Sequence, residues 1–380
     1  MNFEYTEEQL MAQQSARDYA QRELILDVIE RDTKAIYPAA HIKNLAELGF
    51  LGMQVDPKYD GTGMDTISYV LALEEISKVD SSVAVIISVN NSLVAYGMEE
   101  YGTEEQKEKY LKPIARGDKI GAFLLSEPEA GSDATSQRTT AIDKGDYYLV
   151  NGVKNWITSG NSASTYIIIV QTHPEKGHKG INALIVDKNT EGISIGPHED
   201  KMGMRSSDTH SVMFTDVKVP KENRLGEDGF GFKLAMKTLE GGRLGIAAQA
   251  LGLASGAYEL ALKYAHERKT FGKEIIKHQA IAFKLADMAT EIEAMRFLCL
   301  KAAWLKDNNK PFGTESAMAK LYCAETAMKI TTEAVQIFGG YGYVKEYHVE
   351  RLMRDAKLTQ IYEGTSEIQK IVISRAISSI

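Results

Sequence analysis

Tyr148-Leu-Val-Asn151-Gly152-Val-Lys-Asn-Trp156-Ile157-Thr158 is where the pattern of this chain changes. From Thr6 to about Arg116 the apolar residues follow a helical period. Near Gly121 they begin to alternate, and the quoted stretch predicts two strands joined by an Asn-Gly hairpin turn. Alternating runs at Tyr166 to Gln171, Ile181 to Val186 and His210 to Val219 follow, separated by turn-rich pieces such as His173-Pro-Glu-Lys-Gly177. After Gly231 come long stretches rich in Ala, Leu, Lys, Glu and Met, and no proline lies between Pro220 and Pro311. Helices are predicted over about Phe232 to Arg268, Gln279 to Asp307, Glu315 to Phe338 and Ser366 to Ile377, with loops at Phe271-Gly-Lys, Lys310-Pro-Phe-Gly313 and Gly339-Gly-Tyr-Gly342. Four such helices make a bundle. The expected fold is α+β and multidomain: an N-terminal helical domain over residues 1–120, a middle β domain (barrel or sandwich) over 121–228, and a C-terminal four-helix bundle over 229–380.

Before the switch, Thr6 and Gln9 form a capping box, Ile42, Leu45 and Leu48 keep helical spacing up to Gly49, and Pro57-Lys-Tyr-Asp-Gly-Thr-Gly63 breaks the period. The 380 residues, 44% hydrophobic and 25% charged, are those of an ordinary globular protein with a sizeable core. A net charge of −8 disfavours nucleic acid. The first ten residues are acidic and lack a signal-peptide pattern, and apolar runs such as Val83 to Ile87 are too short to cross a bilayer, so a cytoplasmic protein without membrane attachment is expected. Cys299 and Cys323, in helical segments without zinc-ligand spacing, read as buried reduced thiols, and no metal site is expected.

Three familiar motifs fail on context. Gly192-Ile-Ser194-Ile-Gly196 satisfies G-x-S-x-G, but Pro197 and His198 begin a loop where a nucleophile elbow needs a helix. Glu175-Lys-Gly-His178 lies in a Pro/Gly hairpin, whereas a di-iron site needs such pairs facing inward from helices. Gly61-Thr-Gly63 and Gly340-Tyr-Gly342 lack the third glycine of a dinucleotide fingerprint, and no phosphate-binding G-x-x-x-x-G-K-[ST] occurs. A dinucleotide bound here is held without a Rossmann or Walker loop.

What remains is a set of loops. Glu363 is a lone carboxylate in front of the last predicted helix, whose start Ser366 and Gln369 mark as a capping box. Gly364 lets the backbone pass close to a ligand and present its N–H to an oxygen. Leu125-Ser126-Glu-Pro128-Glu-Ala-Gly131-Ser132-Asp133 is a turn able to offer N–H groups and hydroxyls to a heterocycle or phosphate, or an ordinary loop. Trp156 and Thr158 alternate onto one face, as a plate and hydroxyl for a ring system or as a core Trp with Thr at its margin. Arg268-Lys-Thr-Phe271-Gly272 and Gln336-Ile-Phe-Gly339-Gly340 end helices, where a cation is a favourable dipole partner and the glycines serve as caps.

Taken together, Ser126-Glu-Pro…Gly131-Ser132-Asp133, Trp156-Ile-Thr158, Glu267-Arg268-Lys-Thr-Phe271-Gly272, Gln336-Ile-Phe-Gly-Gly340-Tyr-Gly342 and Arg354-Asp-Ala…Ile361-Tyr-Glu363-Gly364-Thr365 resemble the acyl-CoA dehydrogenase flavoproteins in order and spacing. Leu239-Glu-Gly-Gly-Arg243 followed by Ala247-Ala-Gln-Ala-Leu-Gly252 is most similar to the short-chain, butyryl-CoA branch. The resemblance implies an extended FAD between the β domain and the bundle. Phe123, Leu125, Ser126 and Ser132 would approach the flavin and pyrophosphate, and Trp156 and Thr158 would cover the ring. Arg268, Phe271, Gln279, Gln336, Gly339 and Gly340 would contact the adenosine diphosphate half from a neighbouring subunit, with Thr365 and Glu367 completing the site. It further implies that Glu363 removes the α-proton of a short acyl-CoA while a hydride leaves Cβ, that Ser132, Glu240, Arg243 and Gly364 touch the substrate or position the base, and that the assembly is a dimer of dimers. In a minority branch the base stands at the position of Gly242, which cannot serve here.

The implied activity is dehydrogenation of a C4-type acyl-CoA with electrons passed to electron-transferring flavoprotein. The same residues serve an enoyl-CoA reductase run in reverse within a complex with that flavoprotein, and an acyl-CoA oxidase or a silent CoA-ester-binding scaffold are the other readings. The helix through Ser92 to Tyr96 would border the acyl tail, and the polar pair Asn90-Asn91 leaves room for a functionalised acyl group.

Overall fold

The computed structural model describes residues 4–378, and its first helix begins where Thr6 and Gln9 predict. Thr6 Oγ1 accepts the Gln9 N–H at 3.2 Å and Gln9 Oε1 accepts the Thr6 N–H at 3.0 Å, capping Glu7–Tyr19. In the Ala39–Glu47 helix Ile42 and Leu45 are buried, whereas Leu48, just past its end, is exposed, and Gly49 closes the turn with φ 82°. Residues Ser81–Tyr101 are apolar and long enough to cross a membrane by composition, but 94% of that window is buried inside the molecule.

Asn90 and Asn91 lie on a π-helical stretch of this core helix, Val89–Ala95. The Asn90 amide donates to Leu51 O at 2.8 Å and accepts the Gly121 N–H at 3.0 Å. Asn91 donates to Phe50 O at 2.8 Å and accepts the Met53 N–H at 2.8 Å. Both amides are thus spent on satisfying the buried backbone of the 50–53 turn and the first strand. They are structural ties, so their polarity is accounted for without a functionalised acyl group.

The middle region forms one eight-stranded sheet: β1 Gly121–Leu124, β2 Thr140–Asp143, β3 Tyr147–Thr158, β4 Thr165–Gln171, β5 Ile181–Asp187, β6 Ile193–Ile195, β7 Thr209–Pro220 and β8 Arg224–Leu225. The order is β6-β7-β3-β2-β4-β5-β8, with β1 parallel to β4. Val212 and Phe214 of β7 share a core with Leu184 and Val186 of β5, so the sheet curls onto itself. Its other face, carrying Phe123, Ile167, Ile169 and Ile185, packs into the helical core, which is why every residue of β4 is buried.

The Asn-Gly hairpin is not formed. Asn151 and Gly152 lie inside the single strand β3, at a register shift in its pairing with β7. Asn151 exchanges two hydrogen bonds with Asp216 across the pair, at 3.0 and 2.9 Å, so the strand runs on instead of reversing. The reversal falls earlier, at Gly145 (φ 92°), where Lys144 N–H meets Tyr147 O at 2.9 Å.

The bundle contains Gly231–Glu267, Gln279–Asp307, Gly313–Phe338 and Ser366–Ser378, and an additional helix, His348–Thr359, precedes the last. Cys299 and Cys323 are free and face each other across two of these helices, Sγ to Sγ 3.7 Å.

Candidate active site

Glu363 occupies the connection between the His348–Thr359 and Ser366–Ser378 helices, with φ 52° at Glu363 and 92° at Gly364. A positive φ at a glutamate is costly and persists only where the surroundings hold it. Here they do: Gly364 O accepts from Lys320 Nζ at 2.7 Å and from Gln369 Nε2 at 2.8 Å, and Tyr362 donates its hydroxyl to Gln249. The expected Ser366–Gln369 capping box is absent. Ser366 donates instead to Glu325, Gln369 reaches back to the Glu363 and Gly364 carbonyls, and Thr365 Oγ1 takes the Ile368 N–H at 3.4 Å. The glutamine was needed to hold the turn and so could not close the cap.

Both carboxylate oxygens of Glu363 are buried and have no hydrogen-bond partner among the described residues, so what exposure the residue retains lies on its other atoms. Gly242, on the long Gly231–Glu267 helix, sits directly against it: a Cβ there would lie 2.1 Å from Glu363 Oε2 and 2.9 Å from Leu93 Cδ2. Next to it Arg243 is buried, with no partner for its Nε. Lys320 enters from the Gly313–Phe338 helix, fully buried. Burial pushes the Glu363 carboxyl up to about 7, against the Lys320 and Arg243 cations, which favour its ionised form. Burial in turn pushes the Lys320 ammonium down to about 8, with Glu363 opposing, and lowers Arg243. A buried carboxylate with unused lone pairs and a pKa near neutrality has the properties a general base requires.

Glu240 stands one turn before Arg243; its carboxylate pairs with Lys237 at 3.3 Å and its carbonyl accepts from Ser316 Oγ at 2.6 Å. Ser132 is exposed in the loop after β1. Phe123 is buried on the helix-facing side of β1, and Leu125 and Ser126 are half-buried just beyond it. That loop is fixed from below by Lys154 of β3, fully buried, which donates to Leu125 O at 3.1 Å, to Glu127 at 2.7 Å and to Gln137. Glu127 also accepts the Arg138 and Thr139 N–H groups at 2.6 and 3.0 Å. Burial lowers the Lys154 ammonium to about 8 even beside this carboxylate.

Trp156 is 61% exposed and carries φ 61° at a second register shift in β3, between Lys154 and Ile157. Lys154 and Ile157 turn inward, and Trp156 is left outside the β core. The reading of a core tryptophan is excluded. Thr158, half-buried, pairs with Thr209 at the strand end.

At the other end of the long helix, Arg268 caps its C-terminus and lies 5.7 Å from the Tyr341 ring centre. Phe271, φ 50° and 96% exposed, forms the tip of a small hairpin, and Gln279 and Gln336 are exposed at the ends of two bundle helices. Gly339 and Gly340 border open space and, with Arg268, Tyr264, Thr270 and Tyr341, line a cavity of about 610 Å³. Arg243 and Arg268 are 25 positions apart on one helix, or about 37 Å at ~1.5 Å per residue. Two groups of predicted residues therefore lie well apart, Arg243 with Glu363 and Arg268 with Gly339 and Gly340. Thr365 and Glu367 open the last helix beside the first group.

Sequence reasoning missed Lys320 and Lys154 as parts of the site. The signal for Lys320 was present: it lies in helical register with Ala317, Ala324 and Ala327, a cation in the buried stripe of its own helix.

The chain matches the acyl-CoA dehydrogenase N-terminal domain over residues 6–118, the middle domain over 122–217 and the C-terminal domain over 229–378. It is 49% identical to the short-chain-specific acyl-CoA dehydrogenase of Clostridium acetobutylicum, covering 99% of this chain and 100% of that one. It is 48% identical to CarC, a subunit of the caffeyl-CoA reductase–Etf complex of Acetobacterium woodii, covering 97% and 98%. The structure of butyryl-CoA dehydrogenase from Megasphaera elsdenii superposes with a TM-score of 0.98 at 49% identity, covering 100% of each chain. Matched along nearly its whole length, the chain belongs to the acyl-CoA dehydrogenase family of FAD-dependent oxidoreductases.

Proposed function

We propose that the protein dehydrogenates a short-chain acyl-CoA of the butyryl-CoA type to the trans-2-enoyl-CoA, with Glu363 as the base that takes the α-proton. The observation that carries this is the Glu363 carboxylate itself, dry, unpartnered and raised to about 7. A thioester α-proton is far too weakly acidic for a solvated carboxylate. Exclusion of water makes this one more basic, and the Glu363 backbone N–H would polarise the thioester carbonyl. Gly242 leaves room for the carboxylate, and Arg243 and Gly364 position it.

The residues present fit FAD. Trp156 is held out of the β core with most of its indole free, the Leu125–Ser126 turn beside it is anchored by Lys154, and Gly131, Gly339 and Gly340 leave space that a Cβ would fill. Phe123, Leu125, Ser126, Ser132, Trp156, Thr158, Thr365 and Glu367 would hold the flavin and pyrophosphate; when bound, FAD supplies the acceptor for the β-hydride. Arg268 lies about 37 Å along the helix from Arg243 and shares its cavity with Gly339 and Gly340, which supports Arg268, Phe271, Gln279, Gln336, Gly339 and Gly340 serving a second subunit's FAD in a dimer of dimers. Electrons would be exchanged with electron-transferring flavoprotein. The likeness to a reductase–Etf subunit supports the reverse reaction on an unsaturated acyl-CoA as the second reading.

Anaerobic addition of butyryl-CoA to the yellow protein tests the first reading. Bleaching of the flavin is expected, and Glu363→Gln should keep its flavin yet bleach on the order of 10³-fold more slowly. Rapid bleaching of that variant would refute the assigned base. Oxidation of chemically reduced enzyme by crotonyl-CoA reads the reverse direction, and slow reoxidation by air excludes an oxidase.

A further inference from the structure

We infer that Lys320 is a positioning residue for the base: its buried ammonium ties down Gly364 and, by its charge, keeps the Glu363 carboxylate ionised and reactive. The inference rests on the proposed role of Glu363.

Lys320 has no exposed surface, and its nitrogen donates 2.7 Å to the carbonyl of the residue that follows the base. As a hydrogen-bond donor it is redundant, because Gln369 already donates to that same oxygen at 2.8 Å. A neutral donor would do for a carbonyl, and burying an ammonium among Ser316, Ala317, Cys323 and Ala324 is expensive unless its charge is used. The charged groups that face it decide what uses it. Glu325, on its own helix, is exposed and already bonded to Ser366 and Gln360, and Glu367 on the last helix is exposed. Arg243 on the long helix is a second buried cation, and the Tyr69 and Tyr362 hydroxyls are held neutral, first by burial and then by Glu363. The buried anion in this group is Glu363. Its oxygens have no hydrogen bond from any described side chain, so the cations act on it through space and leave its lone pairs free for a substrate proton.

The sign follows. A nearby cation favours the carboxylate, so removing Lys320's charge raises the pH at which Glu363 ionises. The raised group must lose its proton to act, so activity falls on the acid side and returns on the alkaline side.

The test uses FAD-loaded enzyme with butyryl-CoA and records kcat/KM over about pH 5.5–9, which reads the free enzyme's groups. Two variants are compared: Lys320→Met removes charge and donor, and Lys320→Gln removes the charge but keeps a donor able to reach Gly364 O. Both are expected to move the acid limb up by about one unit, a loss of about tenfold below it, with recovery at the alkaline plateau. A loss in Lys320→Met that is uniform with pH, beside a Lys320→Gln profile like the wild type, would mean that only the hydrogen bond matters and would overturn the charge role. Unmoved limbs in both overturn it as well. Should the Met variant fail to hold flavin, the Gln variant's limb decides alone. A wild type that butyryl-CoA does not bleach overturns the reading of Glu363 and this inference with it; a bleaching wild type with unmoved limbs overturns this inference alone.

Discussion

The two ends of the Gly231–Glu267 helix make opposite kinds of surface. Near its first third, Gly242 and Arg243 lie beside a buried carboxylate, with Lys320, Leu93 and Tyr362 packed around the same turn. At its far end, Arg268 and Phe271 stand exposed, and Arg268 shares a cavity with Gly339 and Gly340, where an added Cβ would meet nothing. Chemistry needs the first kind, because a base gains strength by losing water. Recognition of a cofactor presented by another subunit needs the second, because its partner atoms arrive only on assembly. On the proposed reading, one helix of 37 residues thus joins a finished site to a half-site.

The largest effect expected from breaking this contrast is at Gly242. An alanine inside a helix normally stabilises it by about 1 kcal/mol, but here the new Cβ would lie 2.1 Å from Glu363 Oε2. The carboxylate is the free end of a flexible side chain, so the fold accommodates the methyl and the base moves. Gly242→Ala should keep its flavin and its thermal stability while losing about 100-fold in kcat/KM. A wild-type rate of anaerobic bleaching would show that the carboxylate is not where catalysis needs it.

Acidity gives the next largest effect. With burial raising Glu363 from 4.5 to about 7, the protonated form dominates below that pH and cannot accept a proton. The wild-type kcat/KM should therefore fall about tenfold for each unit below 7. A limb at the pH of an ordinary carboxylate would mean that water reaches the base.

What the sequence concealed has a common cause. Local signals were legible: the Thr6–Gln9 box is satisfied within four residues, and the strand and long-helix patterns carry their apolar residues in step. The His348–Thr359 helix was hidden because its buried stripe includes Arg351, Asp355 and Thr359 beside Val349, Leu352 and Ala356. Their partners are distant in the chain: Arg351 donates to Val79 O at 2.7 Å, and Asp355 accepts from Ser81 at 2.7 Å and from the Met204 N–H. Asn90 and Asn151 escaped in the same way, each a polar residue whose meaning is fixed by a segment far off in sequence. Glu363 was legible as a lone carboxylate in a turn, but its dryness was not, since burial is made by three helices at once.

At the half-site, Arg268→Ala should weaken FAD binding by about tenfold, the worth of one charge-assisted contact. Reconstitution of apoprotein with FAD at several protein concentrations measures it. The loss should be greater at low concentration, where subunits separate. Unchanged affinity would leave Arg268 as no more than a helix-end cation over Tyr341.

The smallest and sharpest change is at Gly340. Its φ is not in the positive range and a Cβ would meet nothing within 4 Å, so the single chain gives no reason for glycine there. Gly340→Ala should shift apoprotein stability by less than about 0.5 kcal/mol, as for an unconstrained surface position. If a neighbouring subunit's cofactor passes close to this backbone, the added methyl intrudes on it, and FAD affinity falls several-fold while the apoprotein is unaffected. The two measurements separate cleanly: a loss of stability in the apoprotein would mean that Gly340 serves this chain's own packing, whereas a loss confined to the loaded, assembled form assigns the glycine to a site that one chain cannot complete.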